Sequence, residues 1–228
     1  KGARARAEAG ELAFGTVDAF LLWRLTGGKV HATDVTNASR TLLYRLGPGK
    51  DGGWSARMAG ILQVPASLLP EVKPSAADYG ATDPALFGRA IPVCSVLGDQ
   101  QSALVGQGCL KPGQAKVTFG TGAFLVVNTG EVRPASGNRL LATMGYALPG
   151  AAAMALEGSI FNAGTVIKWL RDDLKLIQSA DESAAAAAGL PDNGGVYMVP
   201  AFTGLGAPHW NAEARGLICG LTRAATSA

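Results

Sequence analysis

Apolar residues in the first part of the chain follow a helical rhythm and then a strand rhythm. Val17, Phe20, Leu21, Trp23 and Leu25 recur at helical spacing behind Gly15-Thr16, and Gly27-Gly28 ends the pattern, so a helix is predicted there. The charged, alanine-rich first dozen residues read as the tail of a helix. The polar run His31 to Thr41 reads as a connecting loop, Leu42-Leu43-Tyr44 as a short strand, and Arg57 to Leu62 as another helix. Val64-Pro65 and Leu69-Pro70 mark irregular packing segments. Ile91-Pro92-Val93-Cys94-Ser95-Val96-Leu97 is almost unbroken apolar, as expected of a strand covered on both faces. Gly98 then allows a tight turn into a helix over Gln100 to Gly108.

Beyond this point strands follow one another. Lys116 to Phe119, Phe124 to Asn128, Leu140 to Tyr146 and Met154 to Glu157 read as a meander, with a turn at Ser136-Gly137-Asn138. A helix is predicted from Ser159, with Ile160, Ala163, Ile167 and Leu170 on one face and Gly164 as an interruption. Ser183 to Ala188 is helical, Val196 to Pro200 a strand, Ala201 to Trp210 a glycine- and proline-rich loop, and Gly216 to Leu221 strand-like. A domain boundary is expected near residues 98 to 112. The pattern is that of an α/β protein and fits parts of two ribonuclease-H-like domains that flank a cleft.

Composition narrows the chemistry. The 228 residues are 48% hydrophobic and only 16% charged, and the net charge of +3 forms no basic stripe, which argues against nucleic acid as a partner. Cys94, Cys109 and Cys219 lie far apart in apolar contexts, as expected of reduced, buried thiols in the cytoplasm. No metal-ligand spacing occurs. No apolar run approaches the roughly twenty residues that span a bilayer, and the Lys1 to Arg6 start lacks a signal core. The chain starts without methionine and stops just after a strand-like segment, so it reads as a piece of something longer.

Two short motifs are candidates for catalysis. Asp99 follows the apolar run and Gly98 at what is expected to be a strand's carboxyl end, where α/β proteins bind ligands, so it could serve as a base for a hydroxyl. Asp is also a preferred helix cap, and that alternative stands beside the first. Gly120-Thr121-Gly122 joins two predicted strands, and its unobstructed amides and one hydroxyl suit phosphate oxygens; an ordinary hairpin turn would look the same. Pro48-Gly49-Lys50 lacks the spacing and the hydroxyl residue of a Walker loop.

Several ordered stretches resemble one family throughout almost the whole chain. They are Phe14-Gly15-Thr16-Val17-Asp18, Asp34 with Thr36-Asn37-Ala38-Ser39-Arg40-Thr41, Gly98-Asp99-Gln100-Gln101, Gly120-Thr121-Gly122, Leu156-Glu157-Gly158 with Trp169-Leu170-Arg171-Asp172, and Pro200 to Trp210. In these the chain resembles the middle portion of the FGGY carbohydrate kinases, whose fold is the actin-like ATPase architecture, and within that family the members that act on glycerol. The resemblance implies ATP-dependent phosphorylation of glycerol with Mg2+, in the cytoplasm, by a homo-oligomer. It implies that residues 1–98 end the polyol-binding domain and 99–228 begin the nucleotide-binding domain.

Carried over residue by residue, the resemblance implies that Asp99 is the general base, Gln100 bonds the polyol and Phe124 packs on its carbons. Gly120, Thr121 and Gly122 would contact the terminal phosphates of ATP, and Gly164 would let its backbone approach the nucleotide. Lys168 stands where many members have glutamine, and it either pairs with a phosphate or points to solvent. Arg40 and Arg171 read as structural ion-pair members rather than transition-state clamps, the alternative for both. Around Gly88-Arg89 some bacterial members bind fructose 1,6-bisphosphate through a Gly-Gly-Thr-Arg loop that this sequence lacks, so such inhibition is not expected. The family's amino-terminal phosphate loop, its Arg-Glu glycerol clamp and its carboxy-terminal adenosine-binding glycines fall outside the sequence, so the 228 residues alone are expected to be nearly inactive.

Overall fold

A computed structural model describes residues 2–48 and 51–226. The chain runs through α1 (Ala3–Glu8), α2 (Val17–Leu25), β1 (Ala32–Asp34), α3 (Val35–Ala38), β2 (Tyr44–Arg45), β3 (Gly53–Trp54), α4 (Ala56–Ile61), a 3-10 turn (Ala66–Leu68), β4 (Glu71–Lys73) and α5 (Pro84–Phe87). It continues with α6 (Asp99–Gly106), β5 (Ala115–Phe119), β6 (Ala123–Gly130), β7 (Leu141–Leu148), β8 (Ala151–Ile160), α7 (Gly164–Asp172), α8 (Ala180–Ala188), β9 (Tyr197–Val199) and β10 (Leu217–Cys219). Gly49 and Lys50, in the run set aside as a Walker loop, lie outside the described residues.

α2 has its predicted extent, and it stops where Gly27 and Gly28 adopt φ values of 64° and 80°, which glycine reaches without a Cβ clash. Only Ala19 and Leu22 of the helix are buried, while Phe20 and Leu21 remain largely exposed. The segment 31–41, expected to be a loop, instead forms β1 and α3, and Ala32, Thr33, Asp34, Thr36 and Ala38 are fully buried. Its polarity misleads because the buried polar atoms bond to one another; a polar residue enters a core when its partners enter with it. β1 pairs in parallel with β4, Thr33 opposite Val72.

The run 91–97 is not a doubly covered strand. It meets residues 75–82 on one edge only, through Tyr79 N–H to Val93 O at 2.9 Å, Val93 N–H to Gly80 O at 2.8 Å and Val96 N–H to Ser75 O at 2.9 Å, and its only β-bridges among the described residues are isolated ones. Its residues are exposed or half-buried, and Cys94 and Cys219 are exposed free thiols; of the three cysteines only Cys109 is buried.

The predicted meander becomes a four-stranded sheet of order β5-β6-β8-β7, so β8 and not β7 lies beside β6. β8 extends through Ile160, longer than predicted, and most of its middle is buried. The helix expected from Ser159 therefore begins only at Gly164, which opens α7 rather than interrupting it.

The chain divides into two compact units. Residues 1–116, 126–136 and 141–156 form the first, which holds three core clusters: Leu22, Ala32 and Tyr79; Ala38, Tyr44, Met144 and Met154; and Leu104, Cys109, Val126 and Ala155. Residues 117–125, 137–140 and 157–228 form the second, where the rings of Trp169 and Phe202 pack with centroids 4.9 Å apart and β9 pairs antiparallel with β10.

Candidate active site

In the first unit, Asp99 is the first residue of α6, and Gly98 occupies the capping position without a side chain to offer. The Asp99 carboxylate is exposed. Its Oδ1 accepts the Gln100 N–H at 2.8 Å and its Oδ2 the Gln100 Nε2 at 3.3 Å. The side chain thus satisfies one orphan amide of the helix start from inside the helix, and both oxygens remain at the surface.

The other end of the Gln100 amide accepts a hydrogen bond from Lys116 Nζ, a side chain only 5% exposed. The Gln100 amide is therefore oriented, with oxygen toward the lysine and nitrogen toward Asp99. Sequence reading missed Lys116, because a single lysine in a strand normally marks the solvent face.

Beneath α6 lies a buried polar network that also escaped prediction. Asp34 Oδ1 accepts from Thr36 Oγ1 at 2.8 Å and from Asn37 N and Nδ2 at 2.9 Å each, and Oδ2 accepts from Ser75 Oγ at 2.7 Å. The Thr36 hydroxyl in turn accepts the Gly98 N–H at 2.8 Å. Burial, with the charge of Asp34 next, pushes the phenols of Tyr44 and Tyr79 above their ordinary value.

In the second unit, the Gly120-Thr121-Gly122 turn is tied to the start of α7. Gly164 N–H donates to Gly120 O and Ala163 N–H to Thr121 O, both at 2.9 Å, while Thr165 Oγ1 donates to Thr121 O at 3.1 Å. The amides are less open than the sequence suggests, since the Gly120 N–H bonds to Gly122 O at 2.8 Å. Thr121 is exposed. A Cβ on Gly164 would lie 2.5 Å from Gly120 O, and one on Gly122 would lie 2.3 Å from Ile160 O. The closest neighbour of Gly164 is thus the turn's own backbone.

Phe124 is half-buried on β6. Lys168 is exposed, and its charge acts with that of Lys175 on Asp172. Arg171 pairs with Asp172 through Nε at 2.6 Å, and this hydrogen bond holds the Asp172 carboxyl below its usual range.

The structure is similar to a solved one titled "Crystal structure of Plasmodium falciparum glycerol kinase with ADP", with a TM-score of 0.87 and 36% identity over 98% of this chain and 44% of that one. The fold is accordingly the α/β, ribonuclease-H-like architecture of actin-like ATPases. Family models for the N-terminal domain of FGGY carbohydrate kinases, over residues 1–106, and for their C-terminal domain, over residues 115–228, both match, and the chain belongs to the FGGY family. It is 61% identical over 223 residues to a glycerol kinase of Rhodospirillum centenum and 57% identical over 222 residues to glycerol kinase 1 of Pseudomonas aeruginosa. These alignments cover 98% and 97% of this chain but 44% of each relative, so the chain spans less than half the length of those proteins.

Proposed function

We propose that this chain supplies the central part of an ATP-dependent glycerol kinase, which transfers the γ-phosphoryl group of ATP to a terminal hydroxyl of glycerol. The observation that carries the reading is Asp99: an exposed carboxylate at the start of α6, inside the matched family region and bonded only through its own neighbour Gln100 in the contacts described above. Identity of 61% to a glycerol kinase supports glycerol as the substrate rather than another polyol.

In this reading Asp99 accepts the hydroxyl proton as the glycerol oxygen bonds to the γ-phosphorus and ADP leaves. A carboxylate is a weak base, but a loose transition state needs little deprotonation before attack, so its main contribution is aim. Gln100, fixed by Lys116, presents its amide to the polyol, and Phe124 covers the carbon backbone. Gly120, Thr121 and Gly122 face the terminal phosphates, Gly164 braces that turn, and Lys168 adds a positive charge at the surface. Magnesium would accompany the nucleotide and neutralise charge on its phosphates. The same reading makes the protein cytoplasmic and homo-oligomeric, with residues 1–98 as polyol-side and 99–228 as nucleotide-side portions. No helix among the described residues is long and apolar enough to cross a membrane.

The test replaces the matched region of the Rhodospirillum centenum enzyme with these 228 residues and measures ADP release against a substrate panel. Glycerol should drive turnover and xylulose should not. Preference for a ketose would overturn the substrate, and no turnover with any polyol would overturn the activity. The 228 residues alone should turn over glycerol barely above background.

A further inference from the structure

Asp99 can act only if the turn before it holds a fixed course, and two alternate amides of that turn lead into one buried network. The Val96 N–H donates to the Ser75 carbonyl at 2.9 Å and the Gly98 N–H to the Thr36 hydroxyl at 2.8 Å. Ser75 and Thr36 both donate their hydroxyl protons to the Asp34 carboxylate, at 2.7 and 2.8 Å, and Asp34, Thr36 and Ser75 are fully buried. The bond from the Asn37 amide is ordinary capping of α3, which explains one of Asp34's partners. Capping gives no reason for a carboxylate to take two further hydroxyls, each from a residue that also grips the segment 96–98.

A threonine hydroxyl has one proton and two lone pairs. With that proton committed to the Asp34 carboxylate, Thr36 is left as an acceptor, and it accepts the Gly98 amide. The space is tight: a Cβ on Gly98 would lie 2.8 Å from Gln101 Oε1, and Gln101 is itself anchored by its Nε2 to Thr143 Oγ1 and Met144 O, both at 3.3 Å. The start of α6 is thereby gripped at Gly98 from α3 and at Gln101 from β7.

We propose that Thr36, its hydroxyl oriented by the buried Asp34 carboxylate, is a positioning residue that fixes the Gly98 amide and through it the aim of Asp99. The inference rests on the reading of Asp99 as the base. Thr36→Val keeps the shape and removes the acceptor, whereas Thr36→Ser keeps the hydroxyl. A misplacement of about 1 Å at a reacting group can cost about a hundredfold.

The experiment measures kcat and glycerol KM in the chimeric kinase for Thr36→Val, Thr36→Ser, Asp99→Asn and the double variant Thr36→Val with Asp99→Asn. We expect kcat per folded molecule to fall about 10- to 100-fold in Thr36→Val, to recover in Thr36→Ser, and to fall no further when Thr36→Val is added to Asp99→Asn. In the 228-residue chain, Thr36→Val should also speed hydrogen exchange at the Gly98 amide, and Thr36→Ser should restore its protection. Unchanged kcat in Thr36→Val overturns the proposal, as does a loss that multiplies with that of Asp99→Asn, which would mark general destabilisation. Wild-type turnover in Asp99→Asn would instead overturn the reading of the base. If Thr36→Val does not fold, the isosteric Asp34→Asn takes its place with the same expected pattern.

Discussion

A methyl group added at Gly164 would meet the Gly120 carbonyl oxygen at 2.5 Å, whereas one added at Gly120 would meet nothing within 4 Å. The crowded position faces the backbone of Gly120, and backbone yields little. Gly164→Ala should therefore destabilise the 228-residue chain by about 1–3 kcal/mol in urea unfolding. Gly120→Ala should stay within about 0.5 kcal/mol. Equal midpoints for the two would remove the close approach between the turn and α7. At this scale the sequence singled out residue types rare in their setting, Asp99 after an apolar run and Gly164 within a helix pattern, and the structure moves Gly164 from the helix interior to its first position. The sequence was silent about Lys116 and Thr36, because what distinguishes them is a partner far along the chain, Gly98 being 62 residues from Thr36.

The elements show a similar division. α2, α4, α8, β9 and the loop after β9 lie close to where periodicity places them, since each depends on local pattern and turn chemistry. β1 and α3 were hidden, because the polar residues that look like a loop are buried together in the Asp34 network. The run 91–97 misled in the opposite direction: an apolar sequence reports what its residues favour, not how many neighbours they have. The segment 75–82 that borders it carries a titratable probe in Tyr79, fully buried and donating to the Pro74 carbonyl at 2.7 Å. Burial raises its pKa above the ordinary 10.0, so the folded state retains a proton that the unfolded chain releases first. Stability from this group is complete below the unfolded value and is lost as pH rises beyond it. Thermal unfolding of the 228-residue chain followed upward from pH 10 should show a steep fall, and Tyr79→Phe should flatten it at the cost of about 1 kcal/mol at neutral pH. A variant with the same alkaline slope as the wild type would mean that Tyr79 is not protected in the fold.

For the whole molecule, the family assignment rests on matches across both units, over residues 1–106 and 115–228. The alternation of strands and helices made the α/β class legible, and the family resemblance carried the ribonuclease-H-like architecture that the order alone only fits. The exchanged order of β7 and β8 was not, because strand neighbours depend on burial that no local pattern records. The central claim is that Asp99 is the base of a glycerol kinase, and the measurement that meets it most directly is the turnover of Asp99→Asn beside its glycerol affinity. In the chimeric kinase that supplies the remaining length, kcat should drop by about 10²–10⁴ while glycerol still binds as in the wild type. Turnover at the wild-type rate would contradict the account.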